Sequence, residues 1–154
     1  MFKILLVCTG NTCRSPMAAA LLANIVTQAG LTDQITVESA GIAAWQQPAS
    51  AHARTVMRQA GLSVDEHCSR QLTPVRLGDV DLVLTMTKSH KQVVVNLAPE
   101  MAEKMYTLGE FAGENGDVGD PFGGSEADYR RCAEQIHRLL TLSWEKIVSM
   151  AGKK

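Results

Sequence analysis

The chain contains no long apolar run, no excess of charge of either sign and no paired-cysteine motif. Each gap closes off a class of function. A membrane-spanning helix needs roughly 20 consecutive apolar residues, and no stretch of the sequence approaches that length. The apolar run near the start, KILLV, is short, and a polar turn follows it where a secretory cleavage region would need small residues. No membrane association is therefore expected, and the cytoplasm is the expected location. Lys and Arg number 15 against 16 Asp and Glu, for a net charge of −1, and no basic arm is present. Binding to nucleic acid through bulk charge is not expected. The four cysteines, Cys8, Cys13, Cys68 and Cys132, form no CxxC pair. A zinc site is not expected, and in a reducing compartment these residues should remain mostly thiols.

What is present reads as one domain over residues 1–154. Lys3 to Val7 is a buried-strand pattern. Ser15 is placed to cap a helix with Pro16 in its first turn, where a missing N–H costs nothing. The helix then runs through MAAALLANIVTQA to Gly30. A second strand is expected over Ile35 to Ala40, a helix over Ser50 to Ala60, a third strand over Asp81 to Met86, a helix over Thr87 to Leu97, and a short strand over Met105 to Leu108. The last helix opens on Ser125 with Asp128 three residues on. Tyr129, Cys132, Ile136, Leu139, Leu140, Ser143 and Ile147 then recur at helical spacing. Strands alternating with helices imply an α/β fold of the doubly wound type, with a parallel sheet covered on both faces. In such sheets ligands bind beyond the carboxyl ends of the strands, which is where Cys8 falls.

The segment VCTGNTCRS, residues 7 to 15, separates the first strand from the first helix. Between Cys8 and Arg14 lie Thr9, Gly10, Asn11, Thr12 and Cys13. A loop of this length can curl so that successive N–H groups point inward as an anion nest. Gly10 and Asn11 tolerate the backbone angles this requires. The following helix aims its positive end at the same place, and Arg14 adds a planar fork for two oxygens of a phosphate. The three together cradle a tetrahedral oxyanion, with the Cys8 sulfur at its mouth. Inward N–H groups, the helix end and Arg14 all favour a thiolate nucleophile there, and Ser15 is placed to donate to the sulfur.

At these residues the sequence resembles the low-molecular-weight protein tyrosine phosphatase family, whose signature is Cys, five residues, Arg, Ser or Thr near the N-terminus. SAGIAAW at 39–45, DLVLTMTKSHK at 81–91 and Asp120-Pro121 extend the likeness along nearly the whole chain. The resemblance implies a four-stranded parallel sheet flanked by helices and a two-step hydrolysis through a phosphocysteine on Cys8. It further implies that Arg14 and the loop N–H groups hold the phosphoryl oxygens, and that Asn11 braces the loop. Ser15 would ease departure of the thiolate, and Asp120 would serve as acid and then base. It implies no metal and no cofactor, and a phosphorylated protein as partner. By residue type alone Asp117 is nearly equal to Asp120 for the acid role. Trp45 and Phe122 are the aromatics that the resemblance places around the substrate ring.

The resemblance also divides. Tyrosine-specific relatives carry a larger aliphatic residue where this chain has Thr12. Threonine there, with the DPFGG loop, looks like the protein-arginine-phosphatase branch. Trp45 fits the tyrosine branch, so phosphotyrosine is the preferred substrate here and phosphoarginine the alternative. An arsenate reductase would need relay cysteines past the third strand, and none lies between Cys68 and Cys132. A non-catalytic phosphate-binding module would not need both Cys8 and the Asp-Pro loop. Cys13, five positions after Cys8, is a candidate redox partner that could shield Cys8 as a disulfide; the alternative is a plain loop residue. His67 with Arg70 reads as a structural polar cluster, and His52, His90 and His137 as solvated helix positions. The sequence leaves the oligomeric state open.

Overall fold

The first strand alternates its side chains between two cores. The computed structural model describes residues 1–154, and in it β1 (Phe2–Cys8) sends Phe2, Ile4, Leu6 and Cys8 into one apolar cluster and Leu5 and Val7 into another. This two-residue alternation, apolar on both faces, is what a strand covered by helices on both sides requires. β1 pairs in parallel with β2 (Ile35–Gly41) on one side and β3 (Leu82–Thr85) on the other. β3 pairs in parallel with β4 (Met105–Thr107). The strand order β2-β1-β3-β4 is that of a doubly wound parallel sheet, as expected from the sequence.

One face is covered by α1 (Arg14–Gln28), α2 (Ala51–Gln59) and the long α6 (Glu126–Gly152). Their buried residues, among them Met17, Leu22, Met57, Ile136 and Leu140, join β1 and β3 in the larger cluster. The other face is covered by α3 (Pro74–Asp79) and α4 (Lys88–Leu97) through Leu77 and Val94. A short α5 (Leu108–Phe111) follows β4, with Thr107 and Glu110 closing a reciprocal cap. Ser125 and Asp128 do the same for α6. Neither α3 nor α5 stands out by periodicity. Thr73-Pro74, a cap followed by proline at the first helical position, is the one signal for α3.

The start of α1 differs from the expectation. The helix begins at Arg14, its N-cap position is Cys13, and no side chain caps it. Ser15 lies inside the first turn, and its hydroxyl is taken by Cys8 and Asn11 instead. The physical reason is competition: a buried hydroxyl beside a sulfur and an amide gains more there than from a helix end already facing the loop.

Candidate active site

The loop between β1 and α1 is held from behind by β2. Ile42 N–H donates to the Cys8 carbonyl at 3.1 Å and Ala43 N–H to the Thr9 carbonyl at 2.9 Å. Ser50 N–H, at the start of α2, donates to the Thr12 carbonyl at 2.9 Å. These bonds use the outer carbonyls. Asn11 sits at the turning point with φ +57° and is fully buried. Asparagine tolerates this left-handed conformation at low cost.

The Asn11 side chain fixes a directed chain of hydrogen bonds. Arg70 N–H can only donate, so the Asn11 atom it meets at 3.0 Å is Oδ1. The amide nitrogen therefore faces Ser15 Oγ at 2.7 Å and Ser39 Oγ at 2.9 Å. Ser15 Oγ accepts from Asn11, which leaves its single proton for the Cys8 sulfur 2.9 Å away. The Asn11 carbonyl meets His67 Nε2 at 2.6 Å. His67 and the Arg70 backbone N–H are thus both pinned to Asn11, while the Arg70 side chain is exposed.

Arg14 is buried in the first turn of α1. Its Nη1 donates to the Val118 carbonyl at 3.0 Å, its Nη2 lies 3.5 Å from Thr9 Oγ1 and 3.6 Å from Asp120 Oδ2, and its Nε has no partner. A buried guanidinium N–H without a partner is costly, and one at this place is available to an oxyanion. Val118 is itself tied to the end of β3, its N–H donating to the Met86 carbonyl. The segment carrying Asp120 is thereby anchored over the loop.

Cys8, Thr9, Gly10, Thr12, Cys13, Arg14, Asp120 and Phe122 line one depression of about 200 Å³. Of the two acidic candidates, Asp120 faces it. Asp117 instead accepts the Lys88 N–H at 3.0 Å, which occupies it at the N-terminus of α4. Phe122 is exposed on the rim, while Trp45, 79% exposed in the loop after β2, is not among the lining residues. Cys13 turns its sulfur towards Tyr129 Oη at 3.3 Å and Ser50 Oγ at 3.5 Å. Burial and the Cys13 contact hold the Tyr129 phenol well above its ordinary range, at about 12.

A model of the family described as low molecular weight phosphotyrosine protein phosphatase matches residues 3–149. The chain belongs to that family. Among curated proteins it is 41% identical to a protein-arginine-phosphatase of Geobacillus stearothermophilus, covering 95% of this chain and 96% of that one. It is 36% identical to the low molecular weight protein-tyrosine-phosphatase Wzb of Salmonella typhi, covering 92% and 88%. Among solved structures, a low molecular weight protein tyrosine phosphatase from T. tengcongensis superposes with a TM-score of 0.90 at 38% identity, covering 95% of this chain and 99% of that one.

His90 of this phosphatase also departs from the expectation. His90 is not a solvated helix residue: it is 5% exposed, with Nε2 2.8 Å from Thr9 Oγ1 and Nδ1 buried without a partner. Burial, then the Arg14 charge, pushes its pKa down to about 4, so the ring is neutral at physiological pH. Helical periodicity gives no hint of this, because the contact reaches from α4 to the β1–α1 loop. His52 and His137 are exposed, as expected. No helix is long and apolar enough to cross a membrane.

Proposed function

We propose that this phosphatase hydrolyses phosphoarginine on proteins, with Cys8 as nucleophile and Asp120 as acid and base. In the first step the Cys8 thiolate attacks phosphorus, and an S–P bond forms as the P–N bond to the substrate guanidine breaks. Asp120 supplies the proton that the departing nitrogen needs. The loop N–H groups and the unpartnered Arg14 Nε take the phosphoryl oxygens as charge develops. In the second step Asp120 removes a proton from water, the water oxygen bonds to phosphorus, and the S–P bond breaks. The Ser15 proton, directed at the sulfur by Asn11, stabilises the thiolate as it leaves.

The observation that carries the substrate assignment is Thr12 on the wall of the depression that Asp120 also lines. A hydroxyl there can accept from a guanidinium N–H. An aliphatic side chain has no atom that can accept this bond. The likeness to a protein-arginine-phosphatase supports this reading.

Phosphotyrosine, which the sequence alone favours, is the second reading. Phe122 on the rim supports it, since a flat ring gains about 0.5–1.5 kcal/mol by packing on an aromatic side chain. The two are separated by comparing kcat/KM on phosphoarginine and phosphotyrosine peptides for the parent and Thr12→Ile. Phosphoarginine turnover should fall at least tenfold in the variant while phosphotyrosine turnover holds or rises. A parent that prefers phosphotyrosine, with no selective loss on Thr12→Ile, would make phosphotyrosine the substrate.

A further inference from the structure

The Thr9 hydroxyl lies between the buried Arg14 guanidinium and a buried imidazole, His90, that the two-step reaction does not explain. Arg14 Nη2 approaches its oxygen from one side and His90 Nε2 from the other. Thr9 itself is exposed on the depression, while His90 and Arg14 are both 5% exposed.

We infer that His90 is a positioning residue for Arg14, acting through Thr9: its Nε2–H donates to Thr9 Oγ1, which also accepts from Arg14 Nη2. This leaves the Thr9 proton free to face the depression. The inference rests on the phosphatase reading and adds to it a residue from the opposite side of the sheet.

Hydrogen-bond inventory assigns the direction. A neutral imidazole carries one N–H, and Nδ1 here is buried without a partner. If the proton sat on Nδ1, an N–H donor would be orphaned in the interior, which folded proteins rarely allow. With the proton on Nε2, only a lone pair at Nδ1 goes unmet. Thr9 Oγ1 then accepts twice, from His90 and from Arg14, and its own proton has no protein partner among these contacts. A protonated His90 would place a second cation beside Arg14, and burial with that charge already disfavours it.

The backbone that carries His90 is held by two anchors at the first turn of α4. The His90 N–H donates to Thr87 Oγ1 at 3.1 Å, and the neighbouring Lys88 N–H donates to Asp117. Thr9 is fixed from the other side by the Ala43 N–H on its carbonyl. The guanidinium Nη2 is otherwise shared only with Asp120 at 3.6 Å, an exposed partner that must also serve the leaving group. His90 and Thr9 give Arg14 a contact that does not depend on Asp120.

The test combines His90→Leu, His90→Gln, Thr9→Val and the pair Thr9→Val/His90→Leu. Assays are kcat and KM on p-nitrophenyl phosphate and competitive inhibition by inorganic phosphate. Loss of one positioned hydrogen bond should lower kcat/KM about tenfold in His90→Leu and weaken phosphate inhibition by a similar factor. Glutamine, whose amide N–H reaches as far as Nε2, should restore most of the loss. The double variant should be no worse than the more damaged single one, because both act on one contact. A purely structural role for His90 would lower the melting temperature alike in Leu and Gln variants and leave phosphate inhibition unchanged; that result would overturn the inference, as would additive losses. Ring ¹⁵N shifts of the unmodified protein give a readout that no folding defect can obscure: the proton should sit on Nε2, and an Nδ1–H ring would refute the assignment. Failure of the phosphatase reading itself would show differently, as an unaltered rate in Cys8→Ser.

Discussion

Gly41→Ala should damage the active site more than the fold. Gly41 is the last residue of β2 and lies in register with Cys8. A Cβ built there would meet the Thr9 carbonyl oxygen at 2.6 Å and the Asn11 backbone N and Cβ at 3.0 Å. Ordinary contact begins near 3.4 Å, so the loop would have to withdraw by 3.4 − 2.6 = 0.8 Å. The neighbouring bonds resist this, since Ala43 N–H holds that same Thr9 carbonyl and Ile42 N–H holds the Cys8 carbonyl. Overpacking of this kind typically costs about 1–3 kcal/mol of stability. A displacement approaching 1 Å in a loop that must place a nucleophile against phosphorus costs on the order of 10²-fold in rate. The paired assays are kcat/KM on p-nitrophenyl phosphate and urea unfolding monitored by tryptophan fluorescence. The expected result is a folded protein with a midpoint shifted by a modest amount and turnover reduced about a hundredfold. Turnover within twofold of the parent would refute the idea that β2 sets the loop geometry.

Asp120→Asn should lower kcat by roughly 10²–10⁴-fold, the usual worth of a general acid, whereas Asp117→Asn should leave kcat within a few-fold and act on stability through Lys88; the reverse pattern would reassign the acid. Stability should decline on mild acidification. His90 has a folded-state pKa of about 4 against 6.5 when unfolded, so the unfolded chain binds the proton first. The contribution is fully present above pH 6.5 and is lost as pH falls towards 4, amounting to about 3 kcal/mol at most. His67, also lowered by burial, acts with the same sign. Urea midpoints measured between pH 7 and 4.5 check this, and His90→Gln should flatten the decline.

The parts of the site legible in the sequence are those contiguous in it. Cys8 to Ser15 form one loop whose glycine, asparagine and arginine each state a local requirement, and the strand before it shows its two-faced burial in an unbroken apolar run. The parallel sheet follows from the alternation of strands and helices, whereas the order β2-β1-β3-β4 does not. What remained hidden depends on contacts between distant segments. Asp120 and Asp117 are chemically alike, and only the Lys88 N–H and the fold of the 117–123 segment distinguish them. His67, Arg70 and Ser39 converge on Asn11 from two other segments. His90 reads as one more helix position until β3 and β1 are placed side by side, bringing the first turn of α4 against Thr9. Ser15 shows the limit of local rules in the other direction, since a good capping residue was drawn off by a buried sulfur and amide.

The most direct test of the account is rapid acid quench of the phosphatase during turnover of a phosphorylated substrate, followed by mass mapping of the trapped protein. The account predicts one phosphoryl group on Cys8, accumulating to a higher level in Asp120→Ala when the substrate carries a good leaving group, and none in Cys8→Ala. Undiminished turnover with the label on another residue, or with no covalent label under conditions that preserve thiophosphate, would contradict it.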